Sequence, residues 1–189
     1  MPRQETVRRM LAGDRRLDVG RAREVAAVLL AQPRRTGQVV ECLWDEDAGV
    51  ANRAADALER ASHHRPALLA PWKDALLTRL AEAEQNKLRW NLALMICRLE
   101  LTPRETERAM VSLRGYLEDQ GSIVRTAAMH GMAGLALQNR ALMPEVLDTI
   151  RILTRSGTPA MRARGRMLLK KLERADGTGS TSSLRSGQN

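Results

Sequence analysis

Residues 124–135 read Val124-Arg125-Thr126-Ala127-Ala128-Met129-His130-Gly131-Met132-Ala133-Gly134-Leu135. An apolar residue stands directly before an arginine. Small or apolar residues follow three, seven and ten places beyond it, at Ala128, Met132 and Leu135. That spacing keeps all of them on one face of an α-helix, whose turn takes about 3.6 residues. The pattern recurs at Leu88, Arg89, Leu92, Ile96 and Leu99, and at Met161, Arg162, Gly165, Leu169 and Leu172. Val50, Ala51, Ala54, Leu58 and Ala61 repeat it with Ala in the arginine place, and Ala22, Arg23, Ala26 and Leu30 repeat it in a shorter form. The anchors 22, 50, 88, 124 and 161 are 28, 38, 36 and 37 residues apart. A recurrence of that length predicts stacked supersecondary units, each burying its apolar face against the next.

A second column accompanies the first, eight and eleven residues before each anchor. Leu77 and Leu80, Leu113 and Tyr116, Ile150 and Leu153, and Val39 and Cys42 fill it. Two columns imply two helices per unit. The reading is therefore all-α, an α-solenoid of about five antiparallel helix pairs. The first helices are expected over roughly 4–12, 35–44, 67–83, 103–118 and 143–155, and the second over roughly 19–31, 48–62, 86–100, 122–138 and 159–174. Thr102-Pro103-Arg104-Glu105 supplies an N-cap, a proline at the first helical position and a capping glutamate. Asp45-Glu46-Asp47 complements the start of another helix. The stretch 86–100 is apolar nearly all round, which places the third pair at the centre of the stack. Residues 1–174 form one domain on this reading, and the Gly/Ser/Thr-rich stretch 175–189 is expected to be a flexible tail.

Composition supports helices. Aromatic residues make up 2% of the 189 and phenylalanine is absent, so the core must be filled by Leu, Val, Ala, Met and Ile. The net charge of +9 is unevenly placed. Residues 1–35 carry nine basic and four acidic groups, residues 36–150 thirteen and sixteen, and residues 151–174 eight and one. Basic ends suit an anionic partner, or simply solvate the outer faces of the terminal units. The two cysteines, Cys42 and Cys97, lie in apolar stretches without CxxC spacing and read as reduced core thiols. The N-terminal residues hold no signal-like apolar run, and no stretch is apolar enough to span a membrane, so a cytoplasmic location is expected.

The segment 124–133, with Asp119 six residues before Arg125, resembles the second helix of a HEAT repeat. The resemblance implies a right-handed superhelix in which such an Asp and Arg form a ladder between neighbouring repeats. Arg23, Arg89, Arg125 and Arg162 with Asp119 are the ladder residues by this match; the Asp is missing before Arg89 and Arg162. The resemblance also implies that second helices line a concave surface. Arg53, Arg60, Asn91, Arg98, Arg164 and Lys171 stand two and nine places beyond the arginine position and form a candidate basic stripe there. A structural reading of the repeated arginines sets their heads against helix-end carbonyls or carboxylates.

No hydrolase elbow, phosphate loop, zinc motif or kinase signature occurs. His63-His64 marks a helix end, and His130 reads as a packed helix residue. The expectation is a non-enzymatic scaffold without cofactor, metal or small-molecule substrate that binds a protein partner. The alternative is nucleic-acid binding on the basic stripe, as in the DNA glycosylases built of HEAT-like repeats.

Overall fold

The structure is a computed structural model describing residues 6–12 and 21–182, with side chains described as far as 177. It is all-α, and no strand occurs among the described residues. The helices are α1 (Val7–Ala12), α2 (Ala22–Ala31), α3 (Thr36–Glu41), α4 (Ala48–His64), α5 (Lys73–Glu82), α6 (Asn86–Ile96), α7 (Pro103–Leu117), α8 (Ser122–Gln138), α9 (Met143–Ser156) and α10 (Pro159–Ser182). Residues 4–5 of the expected first helix over 4–12, residues 19–20 of the expected second helix over 19–31, and 183–189 of the expected tail lie outside the described residues.

Local chemistry sets the helix ends. Thr102 Oγ1 accepts from the Glu105 amide at 3.3 Å while Glu105 Oε2 accepts from the Thr102 amide at 2.7 Å, closing the capping box of α7. Asp47 Oδ1 accepts from the Gly49 and Val50 amides at the start of α4. The first helices of the second and third units are broken. Pro33–Arg35 and Pro66–Trp72 are 3-10 turns leading into α3 and α5. Pro71 has no N–H to give an α-helical bond, so the continuous helix expected from residue 67 begins instead at Lys73. At the other end, α10 runs on through residues 175–182, where composition predicts an irregular tail. Once nucleated, a helix extends by one hydrogen bond per residue even over weak formers.

Packing follows the chain from pair to pair. α2 packs on α4, α4 on α6, α6 on α8 and α8 on α10. α5 packs on α7, and each helix before a turn packs on the one after it, as α7 on α8 and α9 on α10. The anchor column forms the core between them. Val50, Ala54, Leu58, Leu88, Leu92, Val124, Ala128, Met132, Met161 and Leu172 are all buried, as are Leu77, Leu80, Leu113 and Ile150 of the second column. Leu169 is only half-buried, and its neighbour Leu168 turns inward instead. Both cysteines are buried free thiols. No helix among the described residues is long and apolar enough to cross a membrane.

Two contacts show how tightly the second helices approach. A Cβ on Gly134 would stand 2.6 Å from Cys97 Cβ, and one on Gly131 would stand 2.8 Å from the Ala93 carbonyl oxygen. Glycine at both positions lets α8 lie directly on α6.

Candidate binding groove

The second helices enclose a groove of about 730 Å³. α2 gives it Arg23, Ala26, Ala27 and Leu30; α4 gives Glu59, Arg60, His63 and His64. α6 supplies Leu94, Arg98 follows its last turn, and His130 and Arg164 come from α8 and α10. Ala, Leu and imidazole surfaces form the floor, and guanidinium groups stand around it.

The expected stripe does not converge as one surface. Arg60, Arg98 and Arg164 reach the groove, whereas Arg53, Asn91 and Lys171 do not. Arg53 turns to the end of α1, where Nε donates to the Leu11 carbonyl and Nη2 to that of Ala12. Asn91 is buried and donates to the Lys87 carbonyl at 3.0 Å on its own helix. Lys171 lies outside, in a shallow depression beside Leu137 and Met167. The reason is angular. Positions two and nine beyond the arginine place sit on the flank of the helix, so whether a neighbouring helix, packed some 8–10 Å away, covers that flank decides between burial and exposure. Gly134, at the same position, abuts Cys97 of α6, and Ala127 is buried. At the same positions Arg60, Arg164 and Lys171 stay exposed.

The groove floor comes from a different column, five places beyond the arginine, where Leu94 and His130 stand. Periodicity gathers these positions on one face. It carries no signal that His63 and His64, at the end of α4, face His130 across the same space. All three histidines of the chain line this one groove.

Its charges are partly engaged. Arg60 pairs with Asp56 one turn earlier at 2.9 Å. Arg98 donates to the Glu59 carbonyl and to Ser62 Oγ at 3.0 Å each, and to the Glu59 carboxylate. This ties the end of α6 to the last turns of α4, where a cation meets the negative pole of the helix. Arg23 and Arg164 make no ion pair among the described residues. Burial, then the nearby Arg164, Arg98 and Lys171, hold the His130 imidazole below its ordinary pKa. Its Nδ1 is buried without a hydrogen-bond partner among the described residues. The groove thus presents positive charge without carboxylate partners, at Arg23 and Arg164, around a floor with apolar surface from Ala26, Ala27, Leu30 and Leu94.

The ladder is also rearranged. Asp119 pairs with Arg89 of the preceding unit, Nη1 to Oδ2 at 2.7 Å, and not with Arg125. Arg89 Nε donates to the Ala83 carbonyl at 2.6 Å, and its guanidinium lies 5.2 Å from the Tyr116 ring centroid. Arg162 Nη1 repeats the carbonyl contact with Gly157 at 3.3 Å. Arg125 Nε is buried with no partner among the described residues, and Arg23 opens on the groove. The carbonyl reading of the repeated arginines therefore describes Arg89 and Arg162.

The chain matches no protein-family model, no curated protein and no solved structure.

Proposed function

We propose that the chain is a non-enzymatic HEAT-like scaffold whose five helix pairs stack as a right-handed solenoid and whose groove binds an acidic amphipathic segment of a partner protein. The repeat period and the pair-to-pair packing support the architecture. So do the polar links between units. Tyr116 to Leu80, Arg98 to Glu59, Arg8 to Asp45 and Arg53 to Ala12 span 36, 39, 37 and 41 residues, about one unit each. Nearest-neighbour links of this kind are what a quasi-one-dimensional stack makes. Both cysteines are buried thiols, which suits a reducing compartment such as the cytoplasm.

The observation that carries the ligand class is the composition of the groove. Ala26, Ala27, Leu30 and Leu94 offer apolar surface, and Arg23 and Arg164 stand on its edges without carboxylate partners. A helix that sets apolar residues on the floor and carboxylates on the rim meets both features. A rigid nucleic-acid duplex would use the charges and leave the floor unfilled.

The test is fluorescence anisotropy of a labelled peptide with Leu and Glu at helical spacing. Arg23→Glu/Arg60→Glu is expected to weaken binding at least tenfold while circular dichroism stays unchanged. Equal affinity of the two proteins, or displacement of the peptide from the groove by a DNA duplex, would overturn this reading.

A further inference from the structure

A separate surface concentrates charge more strongly than the groove. Between residues 162 and 174, α10 carries Arg162, Arg164, Arg166, Lys170, Lys171 and Arg174 against a single acid, Glu173, which Arg151 engages at 3.2 Å. The apolar face of this helix is already used. Met161, Gly165, Leu168 and Leu172 are buried where α10 packs on α8 and α9. The remaining face is therefore fixed toward solvent. Arg166, Met167, Lys170 and Lys171 on it are exposed.

These cations are unlike those of the first helices. Arg8 is held by Asp45, Arg108 by Asp74, and Arg114 by both Glu107 and Glu145. Arg166, Lys170 and Lys171 make no hydrogen bond or ion pair with any described residue. Arg162, Arg166, Lys170 and Arg174 recur every fourth residue, a rise of about 6 Å per step. The run covers about 18 Å along the helix axis. One strand of a duplex presents about one phosphate per 3.4 Å, so that length faces about five phosphates. Beside the cations, Leu137 and Met167 line a shallow depression of about 460 Å³, which offers apolar contact to sugar edges.

We propose that the outer face of α10 is a nucleic-acid-binding surface that grips the phosphate backbone of a duplex without reading its sequence. The surface adjoins the groove at Arg164, while Arg166, Lys170 and Lys171 lie outside the groove lining, so the scaffold would hold a protein segment and a nucleic acid side by side. Sequence tolerance follows from the residue types. No aromatic or amide side chain stands on α10 between 159 and 177 to stack on a base or read adenine, and the exposed Arg166, Lys170 and Lys171 are spaced along the helix as charges suited to phosphates. Insertion into a membrane is disfavoured because the apolar face of the helix is spent on α8 and α9.

The test uses the full chain and a labelled 20-base-pair DNA duplex of arbitrary sequence, with anisotropy read at about 50 and about 200 mM salt. If about four phosphates are neutralised, wild-type affinity should fall about a hundredfold across that range. Arg166→Gln/Lys170→Gln/Lys171→Gln should bind more weakly at low salt and lose only about fourfold across it. These positions are exposed, so the variant should keep the wild-type circular dichroism and melting temperature. The triple variant should still bind the acidic peptide, and Arg23→Glu/Arg60→Glu should still bind the duplex, so failure of either surface is told apart from failure of the other. No binding at the lower salt, unchanged affinity in the triple variant, or tighter binding to phosphatidylserine vesicles than to the duplex would each overturn the proposal.

Discussion

Arg89 and Asp119 bind each other across two helix pairs, guanidinium to carboxylate at 2.7 Å, at a site where the Asp119 side chain is 5% exposed. The contact fixes the turn before α8 against the start of α6. Asp119 Oδ1 also accepts from the Gly121 amide at 2.7 Å, so one carboxylate shapes its own turn and anchors it to the neighbouring unit. Arg89 in turn holds the Ala83 carbonyl of the preceding turn. The α5–α6 turn and the α7–α8 turn are thereby joined through one guanidinium.

Replacing Arg89 by Ala leaves a buried carboxylate and a carbonyl without their donor. A loss on the order of 1–3 kcal/mol is expected. Arg125→Ala removes a side chain whose buried Nε has no partner, so only packing is lost. Urea unfolding of the two variants should give a clearly lower midpoint for Arg89→Ala. Equal midpoints would show that Asp119 finds another donor.

Gly134→Ala sets two effects against each other. Alanine is the better helix former by about 1 kcal/mol. The added methyl must stand 2.6 Å from Cys97 Cβ, though, and a helix packed on its neighbour cannot easily give way. The clash should win by about 1–2 kcal/mol. Gly115→Ala is the control, since nothing lies within 4 Å of a Cβ there. It should stabilise slightly. Thermal melts that rank the two in the reverse order would place α6 and α8 farther apart than the structure does.

Tyr116 is the one tyrosine of the chain. Its hydroxyl is buried and donates to the Leu80 carbonyl at 2.5 Å, linking α7 to α5. Burial drives its pKa well above the usual phenol value, so tyrosinate absorbance should not develop near pH ~10 while the fold persists. Tyr116→Phe should cost about 1–2 kcal/mol, because the carbonyl loses its donor in a dry site. Ionisation at the ordinary value in the native protein would mean the hydroxyl is wet.

His130 gives the fold a pH dependence whose sign is fixed. Burial first, and then the positive charge of Arg164, Arg98 and Lys171, lowers its pKa in the folded state. The unfolded chain therefore binds the proton more tightly than the native one. Stability from this group is fully present above the unfolded value of about 6.5 and is lost as pH falls through the lower, folded value. His130→Gln should flatten the dependence of unfolding free energy on pH below about 6.5. An NMR titration of the His130 ring protons should show a midpoint below 6.5. A midpoint at or above that value would mean the imidazole is solvated or paired.

How much was legible in advance varied with the kind of contact. The capping box at Thr102, the Asp47 cap and the anchor columns are local, and each stood in the sequence at fixed spacing. The groove was legible only in part. Arg98 and Arg164 belong to the stripe expected on the concave side, yet Arg53 from the same column ties α4 to the end of α1 and Asn91 is buried against its own helix. Spacing within one helix gives an angle about that helix's own axis. It does not say whether a neighbour fills the space at that angle.

The sequence by itself determined that the chain is all-helical, the capped starts of α4 and α7, and most of the faces the helices bury, because these follow from interactions within about one turn and from the 3.6-residue period. Only the tertiary structure decided that Asp119 takes Arg89, that Arg125 goes without, and that three histidines meet in one groove. Those outcomes depend on how each helix is set against its neighbours. Sub-ångström fits such as Gly134 against Cys97 set these, and residue spacing along the chain does not encode them.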